Sequence, residues 1–211
     1  MMKRMHLRIS IFAVIICICC SGMVFANDTH DGIPLPAGTL VTVFYYDQTT
    51  GNKLYNDGDK VSDDFNISSD VGIWRALYYS EIGGMAMGTN LLLPFGSVSV
   101  DGAALGNTNI SASGMADPVL NQAIWLINKP GQLLWVGCST FVTVPCGQYD
   151  NDKLVNLGSN RWAFKPEFFM TKGIGSKGTF LEVFVHRELS TKNDEFGPGK
   201  LALHKDALYT F

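Results

Sequence analysis

The chain has 211 residues, of which 46% are hydrophobic and 17% charged, and its formal net charge is −3 at pH 7. This length suits one domain or one small-to-medium β-barrel. Beyond the first 26 residues the chain has 13 basic and 19 acidic residues, so no basic surface is expected to bind nucleic acid.

The first 26 residues have the features of a secretory signal peptide. A basic start is followed by a mostly apolar run at 11–25 and by Ala26, a small residue suited to cleavage. The basic residues are Lys3, Arg4 and Arg8. A retained anchor helix is the alternative, but the run is shorter than the roughly 20 residues that span a bilayer. We therefore predict cleavable export to the outer membrane of a bacterium.

Beyond the signal, most apolar stretches repeat with a period of two, and Gly, Asn and Pro separate them. They are rich in β-branched and aromatic residues, which is typical of strands. About eight strands are predicted in an antiparallel meander, at 39–48, 71–82, 85–100, 119–128, 132–144, 161–170, 179–189 and 200–211. The predicted layout is a signal at 1–26, a short N-terminal segment at 27–38 and a barrel domain at 39–211.

Two local signals complicate this series. Asp117-Pro118 is also a good helix start, so 119–128 fits a helix or a strand by itself, and its strand neighbours favour a strand. Pro94 cannot donate to a β-ladder and is expected to mark an end, an edge or a bend of the third strand.

Alternation fits both a transmembrane barrel, whose apolar side faces lipid, and a soluble sandwich, whose apolar side is buried. Strands of about ten residues or longer favour the barrel, because a tilted membrane strand needs about 9 to 11. Aromatic pairs such as Tyr78-Tyr79 and Phe168-Phe169 suit interfacial girdles. We predict an all-β antiparallel transmembrane β-barrel.

Two motifs are more specific than strand alternation requires. Residues 145–150 have the pattern Pro-x-Gly-x-Tyr-Asp, and 160–166 have the pattern Asn-Arg-Trp-x-Phe-x-Pro. The motif residues are Pro145, Gly147, Tyr149, Asp150, Asn160 and Trp162. They resemble the MetA-pathway of phenol degradation family of outer-membrane proteins, and the resemblance covers essentially the whole chain after the signal. It implies a channel or transporter for small hydrophobic or aromatic compounds.

Relatives look longer at the C-terminus, so this chain is expected to be truncated and to lack C-terminal strands that its relatives have. Alternatively, Phe211 with Tyr209 imitates the terminal aromatic signature by which the barrel-assembly machinery recognises its substrates. Lys205 and Ala207 fit the apolar positions upstream poorly, which favours truncation. Because an open sheet leaves unpaired edges in lipid, a truncated chain is expected to fold poorly alone.

No catalytic residue, metal site or cofactor is predicted. Glu182 and His186 share a strand face but lie about 13 Å apart, and Ser190 is equally far from His186. A barrel hydrolase acting on lipid therefore lacks a visible Ser–His pair. Cys138 and Cys146 are predicted to be free thiols, because the β-branched residues between them disfavour a turn.

Six charged residues are expected to face the lumen or its rims, because an arginine facing lipid near the bilayer midplane costs roughly 2 to 4 kcal/mol. They are Arg75, Arg161, Lys165, Glu167, Glu182 and Arg187. They either pair across strands and hold the barrel together or line a path. A structural barrel with no open pathway is therefore the alternative to a channel.

Overall fold

A computed structural model describes residues 30–56, 58–175, 178–197, 201–203 and 207–210. The predicted signal peptide lies outside these ranges. Within them the only helical elements are the 3-10 turns Ala103–Leu105 and Pro130–Gln132. No helix in this part of the chain is long and apolar enough to cross a membrane.

In the described part of the chain, nine strands form one antiparallel sheet that curls into a half-barrel. They are β1 (Leu40–Gly51), β4 (Asn66–Ile82), β5 (Met85–Asp101), β6 (Ile110–Met115), β7 (Val119–Lys129), β8 (Leu134–Thr143), β9 (Ala163–Ile174), β10 (Thr179–Ser190) and β13 (Ala207–Thr210). Their order is β1-β4-β5-β7-β8-β9-β10-β13, with β6 beside β5. Two small hairpins lie in connections, and they are formed by β2 (Leu54–Asn56) with β3 (Asp59–Ser62) and by β11 (Asn193–Phe196) with β12 (Leu201–Leu203).

The two ends of the sheet are connected differently. At the end called here the turn end, β4 and β5 are joined by Gly83 and Gly84 alone, and both have positive φ, as a tight hairpin turn requires. The other connections there are 130–133 and 175–178. At the opposite end, called here the loop end, the connections are long and span 52–65, 102–118, 144–162 and 191–206. Outer-membrane barrels share this asymmetry.

The predicted all-β antiparallel fold is confirmed, and 119–128 lies within strand β7 as predicted. The last predicted strand, 200–211, is wrong as a single element. Its described residues belong to β12 and β13, which lie in different sheets. β4 starts five residues before the predicted 71 because its first residues pair with both β1 and β5.

Pro94 neither ends β5 nor lies on an edge strand. β5 pairs with β7 up to Leu92 and with β6 from Phe95, so Pro94 lies where β5 changes partner. Its carbonyl accepts from Ala116 N (2.9 Å), on the side where the partner changes. Because the N–H and C=O of one strand residue point to the same side, the missing donor falls at this interruption and leaves the β4 ladder intact.

The sheet has a concave inward face and an apolar outward face. Tyr79 on β4 and Trp125 on β7 have ring centroids 6.0 Å apart although β5 lies between them, so their side of the sheet is concave. On the outward face Phe44 and Phe168 are 61% and 48% exposed. A soluble sandwich would cover such side chains with a second layer, and the described residues form no second layer here.

The aromatic pairs of the sequence are divided between these faces, because successive strand residues point to opposite sides. Tyr78 and Phe168 lie outward, whereas Tyr79 and Phe169 are buried on the inward face. Only one member of each pair is therefore placed to meet lipid, which corrects the assignment of both to a girdle.

Candidate functional site

The inward face has three zones between its two ends. At the loop end, apolar side chains from the sheet and the loops form a cluster, namely Leu54, Phe65, Val98, Val100 and Val155. At the turn end lies the aromatic cluster, namely Leu77, Tyr79, Ala123, Trp125, Trp135 and Phe169. Between them a band of hydrogen-bonding side chains crosses the sheet from β1 to β10, and we call it the polar belt.

In its first half the polar belt is centred on Arg75. The Arg75 guanidinium donates to Asn90 Oδ1 (3.0 Å) and to Tyr45 Oη (3.2 Å). It also donates to both carboxylate oxygens of Asp31, at 3.2 and 3.4 Å. Two parallel hydrogen bonds between an arginine and a carboxylate are a strong and oriented pairing.

Two asparagines continue the belt towards β8. Asn90 Nδ2 donates to Asn121 Oδ1 (2.8 Å), and Asn121 Nδ2 donates to the Thr140 carbonyl (3.3 Å). Both asparagines are buried. Their polar atoms are thus paired from strand to strand, which buried amides require.

In its second half the belt consists of two rows of side chains across β8, β9 and β10. One row contains Phe141, Lys165 and Glu188, and the next contains Ser139, Glu167 and His186. Lys165 is only 8% exposed, and its Nζ lies 4.1 Å from the centroid of the Phe141 ring. The charges of Glu167 and Glu188 act on it. Lys165 nevertheless makes no hydrogen bond or ion pair within the described ranges.

The second row is tied together through Glu167, which is 6% exposed. Ser139 Oγ donates to Glu167 Oε1 (3.2 Å), and His186 Nδ1 lies 3.5 Å from Glu167 Oε2. His186 Nδ1 is buried without a hydrogen-bond partner in the described part. A hydrolase needs its serine on the histidine, with the carboxylate behind. Here the serine donates to the carboxylate, so the row has the wrong order for a nucleophilic triad.

The turn end of the inward face is crossed by the segment His30–Ile33, within the predicted short N-terminal segment. The Trp125 indole donates to the Gly32 carbonyl (2.8 Å), and Ile33 packs on the aromatic cluster. The His30 backbone N–H donates to Glu182, 3.2 Å from each carboxylate oxygen. A Cβ at Gly32 would overlap Thr171 Oγ1, so the backbone of this segment lies directly against the wall. We call His30–Ile33 the crossing segment.

At the loop end, the family motifs hold two loops together. The Asp117 carboxylate accepts from Gly147 N (2.8 Å), Ser159 N (2.7 Å) and Ser159 Oγ (2.5 Å). Asp117 is buried, and three hydrogen bonds to a buried carboxylate compensate for its lost hydration. A Cβ at Gly147 would overlap the backbone at Ala116 and Asp117, so only glycine fits at this contact.

The other motif residues extend this contact to the next loop. Asn193 Nδ2 donates to Tyr149 Oη (3.0 Å) and to the Ser159 carbonyl (3.1 Å). Asn160 Nδ2 donates to Asn193 Oδ1 (3.3 Å), and Asp150 N donates to Asn156 Oδ1 (2.8 Å). Pro145, directly before this network, is partly buried. The motifs therefore build the mouth of the half-barrel.

The six predicted charged residues occupy three kinds of position. Arg75, Lys165, Glu167 and Glu182 point to the inward face, and the structure brings Lys165 and Glu167 together while Arg75 and Glu182 meet the crossing segment. Arg161 lies in the loop directly before β9. Arg187 lies on the outward face with Val183, Val185 and Leu189, three residues before the loop end of β10. Trp162 also lies at this rim, and its ring stacks with Phe164 (6.3 Å, 13°).

The described residues contain no group of three or more His, Cys, Asp or Glu side chains that could hold a metal ion. Cys138 and Cys146 are free and exposed. Cys138 lies on the outward side of β8 and Cys146 lies in a loop. One thiol therefore lies on the outward face of the wall and the other lies in the mouth.

Several residues of the inward face were not among the lumen residues predicted from the sequence, above all Asn90, Asn121, Ser139 and Asp31. A signal existed for the two asparagines, because asparagine is depleted in strands and both lie in phase with inward residues. Asp31 carried no such signal, since a short polar segment before the first strand has no periodicity.

Comparison with known proteins agrees with this geometry. Residues 50–202 match the protein family described as “Putative MetA-pathway of phenol degradation”. The fold is similar to the crystal structure of an outer membrane channel from Pseudomonas putida F1, with a TM-score of 0.78 and 31% sequence identity over 87% of this chain and 68% of that one. No curated protein matched the sequence. The resemblance in the motifs is confirmed, and the chain belongs to the MetA-pathway of phenol degradation family.

Proposed function

We propose that the chain forms an outer-membrane channel that lets small hydrophobic or aromatic compounds reach enzymes that degrade them. The observation that carries this proposal is the arrangement of the two faces. Apolar side chains stay exposed on the outward face, while charges and amides line the inward face. That distribution suits a wall between lipid and a polar lumen. The family and the solved channel support the same function.

In this function the zones of the inward face divide the work. The loops held by Asp117 keep the mouth in shape, and the polar belt provides contacts for polar groups of a solute. The aromatic cluster offers apolar surface at the turn end. Lys165, Glu167 and Glu182 are the proposed lumen residues, Arg75 holds the wall to the crossing segment, and Arg161 and Arg187 are rim residues.

A structural barrel without an open pathway is the second candidate, and one observation favours it. The crossing segment fills the turn end of the inward face, where it contacts Trp125, Phe180 and Glu182. A solute leaving at this end would have to pass the segment. This candidate and the channel therefore differ in whether the crossing segment moves and opens a path.

Reconstitution separates the two candidates. The purified chain is folded into vesicles of outer-membrane lipid, and uptake of radiolabelled phenol and single-channel conductance in planar bilayers are compared with protein-free controls. A channel gives conductance steps and uptake above the lipid background. Folded protein without either result contradicts the channel and supports the closed barrel.

The proposal also includes the location and partners of the chain, namely export by a cleavable signal, assembly by the barrel-assembly machinery and contact with outer-membrane lipid. The two cysteines that follow the predicted signal peptide, Cys138 and Cys146, test the membrane position. In vesicles, a water-soluble maleimide should modify Cys146 in the mouth and leave Cys138 in the wall unmodified, and detergent should not be needed for Cys146. Equal labelling of both thiols in intact vesicles contradicts a lipid-facing wall.

A further inference from the structure

Within the described residues, the polar belt contains a donor and an acceptor that make no hydrogen bond to the protein. Lys165 is more than nine-tenths buried and its ammonium lies against the Phe141 ring, but it makes no hydrogen bond within the described residues. Glu188 lies beside it on β10, between the paired positions His186–Glu167 and Leu189–Phe164. Within the same ranges, Glu188 makes no hydrogen bond or ion pair either.

The Lys165 side chain is largely buried, and its ammonium has no acceptor among the described residues, so its donors are available to an external partner. The partner must accept from the Lys165 ammonium and donate to the Glu188 carboxylate. It must also have an apolar part, because the Phe141 ring is next to the ammonium. A hydroxyl group meets the first two conditions, and an aromatic ring meets the third.

The charges around Lys165 select between an aromatic acid and an aromatic alcohol. One ammonium faces two carboxylates, because the charges of both Glu167 and Glu188 act on Lys165. A carboxylate solute would bring a third negative charge into this poorly hydrated place, and it could not donate to Glu188. An uncharged phenolic hydroxyl can accept from Lys165 and donate to Glu188 without that repulsion.

We propose that Lys165, Glu188 and Phe141 form a lumen binding site for an uncharged phenolic solute, whose hydroxyl accepts from Lys165 and donates to Glu188. This inference rests on the proposed function only in assuming that phenolic solutes enter the lumen, since binding can be measured without transport. His186, whose buried Nδ1 has no hydrogen-bond partner in the described part, lies in the adjacent row.

Equilibrium dialysis of the full chain in lipid nanodiscs tests the site, with empty nanodiscs as the blank. The probes are radiolabelled phenol, toluene, which lacks the hydroxyl, and benzoate, which carries a charge. Wild-type protein should bind phenol more tightly than either. Lys165→Met keeps the length and apolar volume of the side chain but removes the donors. It should weaken phenol binding at least about tenfold, or 1.4 kcal/mol, and change toluene binding by less than about twofold.

Lys172→Met is the matched control, because Lys172 lies on the other side of the same strand and donates to the Gln132 carbonyl. It should leave binding of all three probes unchanged. Glu188→Met is the second variant and should reproduce the selective loss of phenol, also if Lys165→Met fails to fold.

Three results would overturn the site. They are no phenol binding by wild-type protein, tighter binding of benzoate than of phenol, and equal loss of phenol and toluene in the folded variants. Failure of transport is a separate result. A folded chain that binds phenol through Lys165 but shows no uptake keeps this inference and loses the proposed function, and uptake without Lys165-dependent binding does the reverse.

Discussion

The two halves of the polar belt differ in how completely their charges are paired. Around Arg75, the guanidinium has Asp31, Tyr45 and Asn90 as hydrogen-bond partners. Around Lys165, the ammonium lies against an aromatic ring and feels the charges of Glu167 and Glu188, but it makes no hydrogen bond within the described residues. The difference indicates which charges stabilise the sheet and which remain available to bind a solute. A fully paired network stabilises a fold, whereas an unpaired buried charge does not.

The largest effect is expected from Arg75→Met, which removes the ion pair between Arg75 and the partly buried Asp31 carboxylate. We expect the free energy of unfolding to fall by about 3 kcal/mol, measured by urea titration in lipid vesicles. Arg187→Met is the control, since Arg187 lies on the outward face near the loop end, where the expected change is about 1 kcal/mol or less. Equal losses in the two variants would remove the distinction between paired and peripheral arginines.

Gly32→Val should weaken the pairing of charges in the first half of the polar belt, so that this half resembles the less completely paired second half. The new side chain overlaps Thr171, so the crossing segment and Asp31 are pushed away from the wall. We expect a loss of about 2 kcal/mol from overpacking and faster proteolysis before Leu40. Gly131→Val, at a position where a Cβ meets nothing within 4 Å, should change neither measurement. A crossing segment that stays protease-resistant in Gly32→Val contradicts the close contact.

Asn90→Leu removes one link of the first half while keeping a similar side-chain volume. Arg75 Nε and Asn121 Oδ1 each lose a hydrogen-bond partner, so about 1 kcal/mol of unfolding free energy should be lost in the same titration. Thr89→Val on the outward face, which removes the exposed hydrogen bond to Gln122, should cost less. The reverse ranking would show that the belt does not stabilise the sheet.

The smallest effect is expected from Lys165→Met. Because this ammonium makes no hydrogen bond within the described residues, replacing it with an apolar side chain should change the unfolding free energy by less than about 1 kcal/mol. A loss similar to that of Arg75→Met would mean that Lys165 is structural, and the contrast between the halves would then fail.

Part of this arrangement follows from the sequence and part does not. Alternation in the sequence separates Phe164, Phe168 and Met170 from Lys165 and Glu167, and β9 has these two sets on opposite faces. Strand periodicity assigns faces because side chains alternate, whatever the neighbouring strands are. The same rule placed Arg187 among apolar residues, and the structure keeps it there on the outward face.

The missed features depend on tertiary contacts. β2, β3 and β6 have little apolar alternation, and they form because loop-end residues such as Leu54 and Val155 pack on the inward side of β5. The partner change at Pro94 depends on where β6 ends and β7 begins, which local propensity does not encode. The contacts of Asp31 join residues 44 positions apart, so only the folded chain reveals them.

The crossing segment has a consequence for engineering this protein. The wall around it carries small inward residues, including Ala123 and Thr171, and Gly32 fits closely against Thr171. Wall and segment therefore share one volume, and neither fills it alone. A circular permutant or a fusion that starts at Leu40 would lose the occupant of that space as well as a stretch of chain, and larger residues would have to be introduced into the wall to restore the packing.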